Sequence, residues 1–185
     1  MPTINRLLVL KSGDSVELLE TSAMTGGAYV RSRFVFAAGG LRAPSHIHPL
    51  QEEKFEIVSG RLTYFLDGKR HVAEAGTTVT LPPGIVHRHY GEDEKEDAVT
   101  IETVTPGLDW DYVLENLFGL GAEGSFNAIS LPAFLIMQAA KMKAAFYAGY
   151  IMPVWFQKPA AKALAPLLYR LGYRAVHKRF SGEER

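Results

Sequence analysis

Apolar and polar residues alternate in short runs over roughly the first hundred positions, at 6–10, 15–20, 28–37, 55–58, 61–66, 71–73, 77–81, 86–90 and 98–104. Turn-forming pairs separate them: Gly26-Gly27, Gly39-Gly40, Asp67-Gly68, then Gly76 and Pro82-Pro83-Gly84. Many short period-two runs divided by turn chemistry predict an all-β sandwich or barrel. Asp67-Gly68 between two such runs predicts a two-residue hairpin.

Past Pro106-Gly107 the apolar period becomes helical. A first helix is predicted from Asp109-Trp110-Asp111 to near Gly119. Ser130 caps a second, with Leu131, Leu135, Met142 and Phe146 on one face. Pro159 starts a third, kinked at Pro166 and ending near Gly172. The predicted class is mainly β, a β-barrel over 1–106 followed by a C-terminal α-helical tail over 107–185. Phe134, Leu135, Met142, Phe146 and Trp155 are expected to be buried against the barrel or a second chain, because each large apolar side chain left in water forgoes about 1.5–3 kcal/mol. A homodimer is therefore expected rather than a monomer.

Composition narrows the classes. The 185 residues hold 20 Lys plus Arg and 20 Asp plus Glu, so no whole-molecule basic field favours nucleic acid as a partner. No cysteine is present, which excludes disulfides, thiolate nucleophiles and thiolate metal sites. Charge is divided unevenly: residues 131–185 carry nine bases and two acids, residues 1–130 eleven bases and eighteen acids. The longest uncharged runs of the tail, 124–140 and 144–157, are each broken by proline and fall short of the about 20 apolar residues a spanning helix needs. The tail's aromatic, Met, Lys and Arg residues would also suit an interfacial helix on anionic lipid, but packing on the barrel or across a dimer is preferred. Residues 1–6 lack the pattern of a secretory signal, so a cytoplasmic location is expected.

The chemistry concentrates between 40 and 91. His46 and His48 are one residue apart and project from the same side of an extended strand. A turn at Pro49 brings Glu53 beside them, and a strand entered through Leu81-Pro82-Pro83-Gly84 carries His87 and His89 on one face. Three imidazoles and a carboxylate without thiolate suit one divalent transition metal: Mn, Fe, Co, Ni, Cu or Zn.

These residues resemble the two motifs of the cupin superfamily. Gly40, His46, His48, Glu53 and Gly60 match the first; Gly76, Pro82, Gly84 and His87 match the second, with Gly91 where Asn is usual, read as a turn position. The resemblance covers about residues 28–105. It implies a double-stranded β-helix, or jelly-roll barrel, with His46, His48, Glu53 and His87 as metal ligands. Glu52 and Glu56 are read as solvated or as groups supporting the ligands from behind, since Glu56 has the wrong parity relative to Glu53 and Glu52 breaks the six-residue spacing to Gly60; His71 and His177 are read as surface groups.

Four protein ligands leave two positions of an octahedral ion open to a small molecule. This favours a metalloenzyme of dioxygenase, decarboxylase or isomerase type acting on a small carboxylate, phenolic or enolisable substrate. His89, on the face of His87, is the candidate catalytic base; Tyr64, Arg33 and Glu102 are candidates for orienting the substrate. The alternatives are a non-catalytic small-molecule sensor and an interaction or membrane-surface protein working through its tail, between which the fold does not choose.

Overall fold

A strand with alternating apolar residues can bury one face only, and two sheets facing one another supply the cover. A computed structural model describes residues 1–93 and 95–185. Its strands are β1 (Leu7–Val9), β2 (Ser15–Glu20), β3 (Val30–Phe36), β4 (His46–Ile47), β5 (Glu52–Ser59), β6 (Arg61–Leu66), β7 (Lys69–Glu74), β8 (Thr78–Leu81), β9 (His87–Gly91), β10 (Ala98–Thr105) and β11 (Tyr147–Ala148). The helices are α1 (Trp110–Ala122), α2 (Ser130–Lys141), α3 (Val154–Arg170) and α4 (Lys178–Ser181). One antiparallel sheet has the order β1-β2-β3-β10-β5-β8 and the other β11-β4-β9-β6-β7. This is the expected mainly β jelly roll with a helical C-terminal part.

The register follows from local chemistry. Asp67 and Gly68 both adopt positive φ, 48° and 77°, and close the β6–β7 hairpin with Leu66 opposite Lys69, as the pair predicts. Gly60 joins β5 to β6 at φ 70°, and a Cβ there would meet the Asp97 carbonyl oxygen at 2.3 Å, so no other residue fits. β5 begins earlier than its apolar run: the charged Glu52-Glu53-Lys54 stretch is already strand, with Glu53, Phe55 and Ile57 turned inward.

The tail departs from expectation in four places. α1 runs through Gly119 rather than stopping there, because that glycine gives the Phe180 ring room; a Cβ would sit 2.7 Å from it. Asn127 rather than Ser130 leads the cap of α2: Asn127 Oδ1 accepts from the Ile129 and Ser130 amides at 2.8 and 2.9 Å, and Ser130 Oγ reciprocates by accepting from the Asn127 amide at 2.9 Å. α2 ends at Lys141, so Met142 and Phe146 lie beyond it, in the segment that leads to β11. α3 starts at Val154 behind Pro153 and contains both Pro159 and Pro166. Gly91, similarly, is the last residue of β9, paired with Leu62, and not a turn.

One apolar core spans both sheets and the helices, including Phe34 and Phe55 of the larger sheet, Leu62 of the smaller, and Trp110, Met137 and Ala161. β11, from beyond α2, pairs antiparallel with β4, Ala148 opposite His46. Of the five tail residues expected to be buried, Phe134 and Met142 are buried, and Leu135 and Phe146 are half-buried against the core. Trp155 is not: within the chain it is 77% exposed, because α3 turns Ala161 and Ala165 inward instead.

Candidate metal centre

Strand register and one stiff turn assemble the centre. His46 sits directly opposite His87 across β4 and β9. Glu53 on β5 lies between Leu81 of β8 and Val104 of β10, so it projects into the space between the sheets. His48 follows β4, and its carbonyl accepts from the Gly84 amide at 2.8 Å, which pins the histidine segment to the Pro82-Pro83-Gly84 turn. One ligand atom each from His46, His48, Glu53 and His87 fall within 4.8 Å of one another. His48, Glu53 and His87 are buried and His46 half-buried.

The imidazoles are oriented from behind. His46 Nδ1 and His87 Nδ1 each donate to the backbone carbonyl two residues earlier, Pro44 and Ile85, both at 2.9 Å, leaving each Nε2 to face the centre. His48 Nε2 and His87 Nε2 lie 3.2 and 3.0 Å from the two Glu53 oxygens. Both nitrogens, and Glu53 Oε2, nevertheless make no hydrogen bond. Buried nitrogen and oxygen lone pairs aimed at one point without partners are costly, and a cation there would satisfy them; a donor set of three imidazoles and a carboxylate fits a divalent transition metal.

Electrostatics agrees with that fit. Burial holds His46 down at about 3, and also lowers His48, so both are neutral imidazoles at neutral pH. Burial alone would push Glu53 up, but the imidazoles around it, His48 foremost, override this and keep it ionised. Burial would likewise lower His87, yet the Glu53 carboxylate raises it, so a proton and a metal compete for that nitrogen.

The other expected site residues divide. His89 lies 3.9 Å from Glu53 Oε2, outside the four-atom set. Its ring packs against Phe55 and Phe36, at 4.6 and 5.5 Å between centroids, and burial lowers it to about 4. Tyr64 is directly opposite His89 across β6 and β9 and stacks on His71 at the open end of the sheet. Glu102 is buried beside the centre, its Oε2 accepting from Ser32 Oγ at 3.1 Å and Trp110 Nε1 at 3.2 Å. Burial first, and then the charge of Glu53, push it up to about 8. Arg33 does not reach the site: it is exposed on the outer face of β3, because Val30, Ser32, Phe34 and Phe36 occupy the inner one. Glu52 is exposed and Glu56 pairs outside with Arg31 at 3.5 Å, as their spacing and parity predicted. His71 is exposed and His177 half-buried.

Two aromatic residues at the centre escaped the reading of the sequence. The Trp110 and His48 rings meet edge to face with centroids 4.9 Å apart, and the Phe146 centroid lies 5.5 and 5.8 Å from those of His46 and His48. Both come from the helical part. Gln51, also buried, donates to the Pro106 and Gly107 carbonyls at 2.8 and 3.3 Å and so ties the end of β10 to the histidine segment.

Comparison with known proteins places these observations. The family model described as a cupin domain matches residues 32–104. A protein of Arthrobotrys oligospora named an oxidoreductase is 41% identical over 63 residues, 32% of this chain and 24% of that protein's length. Among solved structures, KdgF from a Halomonas species is 16% identical with a TM-score of 0.48, covering 57% of this chain and 93% of that one. A cupin-like protein of Thermotoga maritima is 24% identical with a TM-score of 0.46, covering 57% and 76%. Both motifs, the jelly-roll pairing and the family match fall on the same stretch, so residues 32–104 form a cupin domain.

Proposed function

We propose that this cupin domain holds one divalent transition metal on His46, His48, Glu53 and His87 and acts as a metalloenzyme on a small molecule. The carrying observation is the convergence of four ligand atoms within 4.8 Å, with His48 Nε2, His87 Nε2 and Glu53 Oε2 buried and unpartnered. A metal bound there supplies Lewis-acid polarisation, and electron transfer where it is redox-active. The protein's own groups supply the rest. Glu102, raised to about 8 in the metal-free chain chiefly by burial, places a buried carboxyl beside the centre. Tyr64 and His89 face each other on the site side of the smaller sheet and offer a phenol and a neutral imidazole to a polar substrate. Trp110 and Phe146 exclude water from the His46–His48 side. The name carried by the Arthrobotrys oligospora relative, an oxidoreductase, supports chemistry on a small molecule over passive binding.

The test begins with metal content. Purified and reconstituted protein is expected to contain one equivalent of transition metal per chain, and the double variant His48→Ala/His87→Ala none. A wild-type chain that takes up no ion from Mn, Fe, Co, Ni, Cu or Zn salts would refute the reading. Oxygen uptake and product analysis with catechols, diketones and small carboxylates then separate dioxygenase from decarboxylase and isomerase chemistry, and from binding without turnover.

A further inference from the structure

The helical part carries a face that the chain itself does not cover. α3 buries small residues, Ala161 and Ala165, and turns large ones outward. Trp155 is 77% exposed, Leu167 57% and Leu171 65%; Phe156 and Leu164 are exposed as well, and Ile151 continues the patch in the preceding turn at 76%. At 100° per residue, five of the six exposed apolar residues from Trp155 to Leu171 fall in one half of the helix circumference, and Tyr169 lies outside it. Lys158 and Lys162, one turn apart, border that half on one side, and Arg170 lies near its C-terminal end. None of the three makes an ion pair among the described residues.

Charge says what fits this face. Residues 124–182 contain eight Lys and Arg and no Asp or Glu. A second copy docking through the same face by two-fold symmetry would bring two segments of like positive charge together, with no acid in either to offset it. An anionic lipid surface meets both halves of the pattern: apolar side chains enter the boundary between headgroups and acyl chains, and the flanking ammonium groups reach phosphate. No helix among the described residues is long and apolar enough to cross a membrane, so α3 would lie along the surface. We propose that α3 and the turn before it dock this protein on anionic membrane surfaces, with Trp155, Phe156, Leu164 and Leu167 inserted and Lys158, Lys162 and Arg170 at the headgroups.

Flotation of the full chain with phosphatidylcholine vesicles, with and without phosphatidylserine, tests this. Recovery with the anionic vesicles only, lost as salt is raised, is expected. Lys158→Glu/Lys162→Glu should partition at least roughly 30-fold more weakly, since it removes two basic side chains at about 1 kcal/mol each near such a surface and adds two negative charges. Trp155 emission should shift to the blue on anionic vesicles, and the shift should vanish in Trp155→Phe. If a charge variant fails to fold, the salt dependence and the Trp155 signal of the unaltered chain decide. Absence of flotation, or flotation indifferent to salt and to phosphatidylserine, would overturn the proposal. So would a dimer in sedimentation, without vesicle binding, that Trp155→Ser dissociates, which would put a second copy on this face.

Discussion

Glu53 is the charge around which the centre is arranged, with His48 and His87 on its two oxygens and His89 behind. Glu53→Gln keeps the shape but removes the ionised ligand. Metal affinity should fall at least about 100-fold, the upper end of the cost of losing a mere supporting partner, as read by competition with a chelator. Glu102 makes a different prediction, for the metal-free protein. Its carboxyl is raised from its ordinary 4.5 to about 8, chiefly by burial. Between those values the folded chain binds a proton that the unfolded chain has released, so stability should fall as pH rises from about 4.5 to 8 and level off above. Glu102→Gln should flatten that slope in denaturant titrations run at several pH values. Metal loading should also flatten it, since a cation on Glu53 offsets the charge that helps raise Glu102.

At the scale of elements, the short segment between α2 and β11 links the helical part to the site. It lays Phe146 over His46 and His48, and β11 then pairs with β4, the strand that carries His46. Phe146 is half-buried, so Phe146→Ala should cost about 1–3 kcal/mol, below the 3–5 typical of a fully buried Phe. It should also speed metal release to a chelator; a lower melting temperature with unchanged release would reduce the ring to packing alone. Asn127→Ala should cost about 1 kcal/mol through loss of the α2 cap, measured by chemical denaturation.

For the whole molecule, the joint core makes a prediction about truncation. A chain ending at Pro106 loses β11 from the edge beside β4, Trp110 from Glu102 and His48, and the helices that share the core with both sheets. It should be poorly soluble and bind metal weakly or not at all, whereas a cupin domain folding unaided would remain soluble and keep its metal; gel filtration and metal analysis of the fragment distinguish the two. A metal loaded at this centre should be held more tightly as pH rises, because the proton on His87 competes for the same nitrogen.

The strands, the Asp67-Gly68 hairpin and the cluster of His46, His48, Glu53 and His87 were legible in the sequence. The strands and the hairpin depend on short-range geometry, since period two sets faces and turn residues set positive φ; the cluster, drawn from β4, β5, β9 and the residue after β4, was legible through its resemblance to the cupin motifs. The inner face of β3 was legible too, since Phe34 and Phe36 share it with Ser32 and send Arg33 outward; weighing that parity would have removed Arg33 from the site. What only the tertiary structure decided is what meets across long separations. Trp110 and Phe146 reach His48 because α1 and the segment leading to β11 fold back onto the sheets, and no local period encodes a pairing between residues about 60 to 100 positions apart. The same holds for α3. Its apolar period is plain in the sequence, but only packing against α2 shows that alanines face inward and Trp155 is left in solvent, because burial is a property of the neighbours that a segment finds and not of the segment itself.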